Sequence, residues 1–392
     1  MICRLQAVFL ALVLAVTGPA ARCGAAADPP PSPPGVAEEP VRLAVTIRGK
    51  AYALEALVVR QSGAGKLPVA LITHGANPGA PRDATLDWLR GWAHDMAHRG
   101  WLAVAVMRRG YGGSDGEVVE NSGNCDHPNV SRYFDAHADD LEAALRSIAR
   151  RPDADISRVL AIGDSTGGAV VLALAARPSA HIAAAVNVSG GLSQRPGPFR
   201  DASGCAAFDS DLVWSFARFG ATSRVPTLWL YAENDGWFRP GLVARMHAAY
   251  TGSGGWNTGA KAELVMLPPF GNDGHAMFYA NWGRQLLLPE LDRFLRAHEL
   301  PTWNQAAFAP LLSSLSPADR DSVENYLRQP AEKVLTLAAK GGAYWHMGET
   351  QIADARSKAL EFCKQKNAGD CKVVAENFDL LYQAVPSTAA GQ

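Results

Sequence analysis

The chain is poor in cysteine, with 6 in 392 residues. That excludes a disulfide-framework miniprotein and a cysteine-rich metal module. It also lacks a charge of one sign. Lys+Arg total 37 and Asp+Glu total 38, for a formal net charge of -1. No basic run is present, which argues against nucleic acid or an anionic membrane surface as a partner. There is no H-E-x-x-H pattern, so metal-dependent hydrolysis has no sequence support and no metal or cofactor is expected. No G-x-G-x-x-G precedes a helix, and no lysine-serine phosphate loop occurs. No long internal repeat is visible. One apolar run, Leu5 to Val16, stands out. It is shorter than the roughly 18 residues that a membrane span requires.

That run fits a targeting segment instead. Arg4 precedes it, and Gly18, Pro19 and small residues follow. Ala25 to Ala27 offer an A-x-A cleavage site, so residues 1–27 are expected to be a signal peptide and the mature chain an exported one. Cys125, Cys205, Cys363 and Cys371 then remain. Proximity favours Cys363 with Cys371, which leaves Cys125 with Cys205. Three pairings stay open on the sequence alone.

The Pro-rich stretch 28–40 reads as a flexible leader. From Val41 onward, short apolar strands alternate with helical patterns as far as Leu300. This is the pattern of an α/β fold with a mostly parallel sheet and helices on both faces. Residues 191–224 interrupt it and are a candidate lid, with a short helix near Asp211 to Phe219. A linker is expected at 301–315. A small α+β domain is expected over 316–385, opened by the helix cap Ser316-Pro317. Residues 386–392 read as a tail.

The strongest local signal is Gly163-Asp164-Ser165-Thr166-Gly167, between the strand Val159 to Ile162 and an apolar helix. A strand-to-helix turn this sharp needs small residues on either side and exposes the central serine. Ser165 is the candidate nucleophile. Its hydroxyl needs a base and an orienting acid. His275 lies in a glycine-rich loop after the strand Leu264 to Leu267. Asp235 follows the strand Thr227 to Tyr231, with Glu233 and Asp273 as competing acids. The order Ser165, Asp235, His275 suits strand-end loops of such a sheet. His74-Gly75-Ala76 follows another strand, and the Ala76 and Thr166 amides are candidates for an oxyanion hole. Arg109 to Ser114 forms a tight loop in which Tyr111 could touch a substrate. Trp214, Trp237, Phe238 and Phe278 complete the candidate pocket wall.

On these residues the chain resembles the α/β-hydrolase superfamily. It is most similar to dienelactone-hydrolase-like and secreted serine-esterase-like members. The resemblance spans about Val41 to Leu300. It rests on His74-Gly75, the Arg109 to Ser114 loop, the Gly163 to Gly167 elbow, Asp235 and Gly274-His275. It implies cleavage of a small carboxylic ester through an acyl-enzyme. The dienelactone hydrolases proper carry cysteine where this chain has Ser165, which favours esters over dienelactones. A peptidase or amidase is the alternative within the same chemistry. A non-catalytic binding protein is the alternative outside it, with Tyr344 and Trp345 of the small domain as sugar-binding aromatics. The C-terminal segment resembles a small cysteine-containing module of exported bacterial proteins.

Overall fold

A computed structural model describes residues 35–77, 79–118, 121–194, 205–253, 255, 260–367 and 369–381. The expected signal peptide, residues 28–34 of the leader, residues 195–204 of the expected lid and the tail lie outside them. The elements of the larger part are β1 (Val36–Ile47), β2 (Lys50–Gln61), β3 (Leu67–Thr73), α1 (Asp87–Ala97), β4 (Leu102–Val106), α2 (Val130–Ile148), β5 (Ala154–Asp164) and α3 (Thr166–Ala175). They continue with β6 (Ile182–Val188), α4 (Ala206–Thr222), β7 (Thr227–Ala232), α5 (Pro240–Thr251), β8 (Ala262–Leu267) and α6 (Asn281–Ala297). After these come α7 (Gln305–Ser314), α8 (Pro317–Arg328), β9 (Lys333–Ala338), β10 (Ala343–Met347), α9 (Ile352–Lys366), β11 (Cys371–Glu376) and β12 (Asp379–Leu380).

The first eight strands form one sheet in the order β1-β2-β4-β3-β5-β6-β7-β8. β1 and β2 are antiparallel, and β2 meets β4 antiparallel. Every pairing from β4 through β8 is parallel. The central strands are apolar on both sides because helices cover both faces. In β4, Leu102, Val104 and Val106 face one core, while Ala103 and Ala105 face the other. The ends of β3, β5, β7 and β8 therefore emerge along one edge. Ligands bind at this edge of open parallel sheets.

Two local expectations change. β1 begins at Val36, inside the expected leader. Among the described residues it is an edge strand, paired only with β2, with Pro40 opposite Leu57. An edge strand tolerates a proline whose missing N–H would face outward. The expected linker contains α7, whose Phe308 and Leu311 are buried against the C-terminal module. Pro310 inside the helix hid it from the pattern.

The C-terminal module is a separate, smaller sheet in the order β10-β9-β11-β12, all antiparallel. α8 and α9 pack on it. Ser316 caps α8, its hydroxyl accepting from the Asp319 amide at 3.2 Å. Disulfides join Cys363 to Cys371 and Cys125 to Cys205. The second ties the loop before α2 to the start of α4. The Tyr326 hydroxyl, fully buried, donates to the Asn377 carbonyl at 2.6 Å. Tyr326→Phe leaves that carbonyl without its donor. It is expected to cost about 1–2 kcal/mol in a urea melt.

Candidate active site

Ser165 sits between β5 and α3 with φ 51° and ψ -123°. That left-handed backbone is strained for a serine and persists only because its surroundings enforce it. The two flanking glycines show how. A Cβ on Gly163 would stand 2.2 Å from the Gly167 carbonyl oxygen, and one on Gly167 2.3 Å from the His74 carbonyl oxygen. Strand, helix and the loop after β3 thus touch through backbone alone. The Ser165 amide is held by the Val188 carbonyl at 2.9 Å.

Loops after β7 and β8 bring two further groups to this serine. His275 Nε2 lies 3.0 Å from Ser165 Oγ, and His275 Nδ1 lies 3.1 Å from Asp235 Oδ2. Asp235 is buried, and its other oxygen accepts from the Trp237 and Phe238 amides at 2.8 and 2.9 Å. The carboxylate is therefore fixed, and its free oxygen points at the imidazole. In neutral His275 the proton is placed on Nδ1, toward Asp235, leaving Nε2 to accept from the serine. Burial lowers the imidazole pKa, but the hydrogen bond and charge of Asp235 outweigh it and hold it above the ordinary value.

The competing acids have other places. Glu233 is exposed. Asp273 Oδ1 accepts from the His275 amide at 3.0 Å and the Gly236 amide at 2.9 Å. It locks the two loops together without reaching the imidazole ring. Asn234 adds a second lock. Its side-chain oxygen accepts from the Phe270 amide at 2.9 Å.

Ala76, Ser165, Thr166, Gly191, Leu192, Ser193, Trp237, Phe238 and His275 line a cleft of about 160 Å³. The Ala76 and Thr166 amides donate to no protein acceptor among the described residues. Of the candidate wall residues, Trp237 and Phe238 are in the cleft and three are not. Tyr111 is buried, packed 4.5 Å from the His74 ring and under the Arg108 guanidinium. Phe278 is core, stacked on Trp92 at 4.8 Å. Trp214 is 48% exposed on α4. Aromatic character does not distinguish wall, core and surface.

The loop at Arg109 to Ser114 braces the edge and does not line the cleft. Ser114 Oγ donates to the Met107 carbonyl at 2.7 Å, and the Ala53 amide donates to Asp115 at 2.8 Å. His74 is also a brace. Its Nδ1 contacts the Gly75 carbonyl at 2.6 Å, and Nε2 accepts from the Arg108 amide at 3.2 Å. Burial and the Arg108 charge push its pKa well down, so it stays neutral. Arg108 reaches the His74 and Gly75 carbonyls and shapes the loop bearing Ala76.

Two residues beside the serine escaped the sequence analysis. Asp164 is buried directly beneath Gly75, and burial pushes its carboxyl up to about 7 against the opposing effects of His275 and Tyr279. Tyr279 Oη accepts from the Gly75 amide at 3.0 Å and bonds Asp164. The Gly75 amide is thereby occupied, while that of Ala76 is left for a ligand. The one available signal was position, since Tyr279 closely follows His275.

A family model described as serine aminopeptidase, S33 matches residues 71–225. A putative dienelactone hydrolase from Klebsiella pneumoniae is 19% identical, over 68% of this chain and 99% of that one, with TM-score 0.42. An acetyl xylan esterase from a Paenibacillus species is 18% identical, over 68% and 89%, with TM-score 0.45. Est1E from Butyrivibrio proteoclasticus, solved with ferulic acid, is 15% identical, over 65% and 98%, with TM-score 0.45. No curated protein matches. The matched residues 71–225 all precede the C-terminal module.

Proposed function

We propose that the protein is a serine esterase acting on small carboxylic esters. The observation that carries this is the hydrogen-bonded chain from Ser165 through His275 to Asp235, opening on a cleft edged by two amides without protein acceptors. His275 takes the Ser165 proton as the oxygen attacks the ester carbonyl. The Ala76 and Thr166 amides stabilise the oxyanion. His275 then protonates the departing alcohol. Water, deprotonated by the same imidazole, releases the acid and restores Ser165. Asp235 keeps the imidazole in the working tautomer. The cleft is smaller than the roughly 300 Å³ at which sites for drug-sized ligands begin. It suits a short acyl group against Trp237 and Phe238.

A panel of 4-nitrophenyl esters of increasing acyl length, run beside matching 4-nitroanilides, tests this. Fast turnover of the shortest esters is expected. Preference for anilides would favour the peptidase alternative, which the name of the matching family model supports. No turnover and no fluorophosphonate adduct would favour a binding protein. We also infer export. Two disulfides support an oxidising compartment. Among the described residues, no helix is long and apolar enough to cross a membrane.

The pH profile offers a sharper check. The base must be neutral, and Asp235 raises its pKa. The acid limb of kcat/KM is therefore expected to have its midpoint above about 6.5. An ionised Asp164 favours imidazolium. Asp164→Asn removes that charge and should move the midpoint to lower pH. An unchanged or raised midpoint would show that Asp164 is not coupled to the base.

A further inference from the structure

A second cluster of titratable side chains lies where the hydrolase part meets the C-terminal module. His94 is on α1, and His98 is its C-cap residue, one turn on. Their spacing of four residues places both rings on one face of the helix. Glu332, just before β9, comes from a point more than two hundred residues away. Glu332 Oε1 lies 2.9 Å from His94 Nδ1 and 3.1 Å from His98 Nε2. The three side chains are 9%, 5% and 8% exposed, in the order His94, His98, Glu332. One donor atom from each falls within a 4.8 Å group. Nothing in the esterase chemistry uses them.

Three features point to a cation here. The first is the donor set. Two imidazoles and one carboxylate match zinc, and ligand bonds of about 2.1 Å in tetrahedral geometry place donors about 3.4 Å apart. The two separations to Glu332 are 2.9 and 3.1 Å, and all three donors lie within 4.8 Å of one another. The second is the outer partner of His94. Its Nε2 is bonded to Glu38 on β1, which Arg90 holds in turn. A carboxylate behind a ligating histidine orients the ring and raises its basicity. The third is room. A cavity of about 130 Å³ opens onto His94, His98 and Glu332, and is also lined by Glu38, Glu376 and Asp379. It can seat a water as fourth ligand. Glu376 is already paired with Arg356 at 2.9 Å. Glu332 itself holds φ 48°, a backbone cost accepted to aim its side chain inward.

We propose that His94, His98 and Glu332 bind one zinc ion, with Glu38 orienting His94, and that the ion fastens the C-terminal module to α1 and β1. In the metal-free state, His94 donates from both ring nitrogens to carboxylates. Zinc binding at Nδ1 releases that proton to solvent, while the Nε2 proton stays on His94 and is donated to Glu38. His98 Nε2 donates to Glu332 in the metal-free state; it binds zinc once that proton has passed to solvent, with a proton carried on Nδ1.

The test uses the untagged full chain, stripped with chelator and titrated with zinc chloride by calorimetry. Metal content is measured after gel filtration. Uptake of one zinc per chain and a higher Tm are expected, with calcium giving neither. His98→Gln and Glu332→Gln should abolish both effects, whereas His181→Gln, on an exposed residue, should change nothing. Glu38→Gln should weaken binding by about 10–100-fold. Cobalt loaded into the wild-type chain should show the intense visible bands of a four-coordinate site, which needs no variant to fold. No zinc uptake by the wild-type chain would overturn the proposal, as would unchanged uptake in a folded His98→Gln. These readouts are independent of ester turnover.

Discussion

Ser165→Ala should lower kcat for a short-chain 4-nitrophenyl ester by about a million-fold, down to what the oxyanion amides and binding alone supply. The reason is that the nucleophile, base and acid act as one unit. Among the described residues, His275 Nε2 bonds no hydroxyl other than that of Ser165, at 3.0 Å, and the Asp235 bond at 3.1 Å then orients an idle base. Adding His275→Ala to Ser165→Ala should cost little more. The fluorophosphonate adduct should vanish with the serine. The fold should survive, because alanine removes only an oxygen that is half in the cleft. Alanine keeps the Cβ, so the backbone strain at φ 51° remains and Tm should be close to that of the wild type. Turnover within tenfold of wild type would mean that another group carries the reaction.

Asp292→Ala should destabilise the protein by about 3–5 kcal/mol. Asp292, on α6, accepts from Arg99 Nε at 2.7 Å and Nη2 at 2.9 Å. It also accepts from Thr302 Oγ1 at 2.6 Å and Trp303 Nε1 at 2.9 Å. Both members of the ion pair are almost fully buried. Removing Asp292 leaves the buried Arg99 charge without its hydrogen-bonded carboxylate, which costs far more than the pair contributes when intact. The same carboxylate also anchors the segment that leads into α7. A urea melt should therefore show loss of the module and the main sheet together. A loss below about 1 kcal/mol would mean that water reaches Arg99 when the carboxylate is gone. Burial raises the Asp292 pKa, but the Arg99 charge outweighs it and holds the group below its ordinary value. Its contribution is thus present above about pH 4 and is lost as pH falls through the lower folded value.

Local features were legible because they are local. The strand before Ser165 and the helix after it announce themselves by apolar runs, and the glycines mark the elbow. The start of α8 was legible for the same reason, through the cap Ser316-Pro317. A dozen residues of periodicity suffice for each. β1 was cut short in the sequence because Pro40 reads as a loop residue, while its tolerance depends on an edge that only the sheet creates. α7 was hidden by Pro310. The candidate lid has a different lesson. Its helix α4 runs from Ala206 to Thr222, longer than the stretch from Asp211 to Phe219, and buries Phe208, Leu212, Phe216 and Phe219 in the core beside α2 and α5.

By itself, the sequence determined the alternation of strands and helices, the smaller module and the strand-end positions of Ser165, Asp235 and His275. These depend on short-range pattern and on chain order. Tertiary structure alone decided that Trp237 and Phe238 face the cleft while Tyr111 and Phe278 are packed away and Trp214 faces solvent. It alone put Tyr279 on Asp164, and Glu332 between His94 and His98. The physical reason is the same in each case. Which side of a side chain meets solvent, and which distant segment arrives opposite it, is set by the packing of whole layers. A buried carboxylate facing two imidazoles carries no mark in the residues next to it.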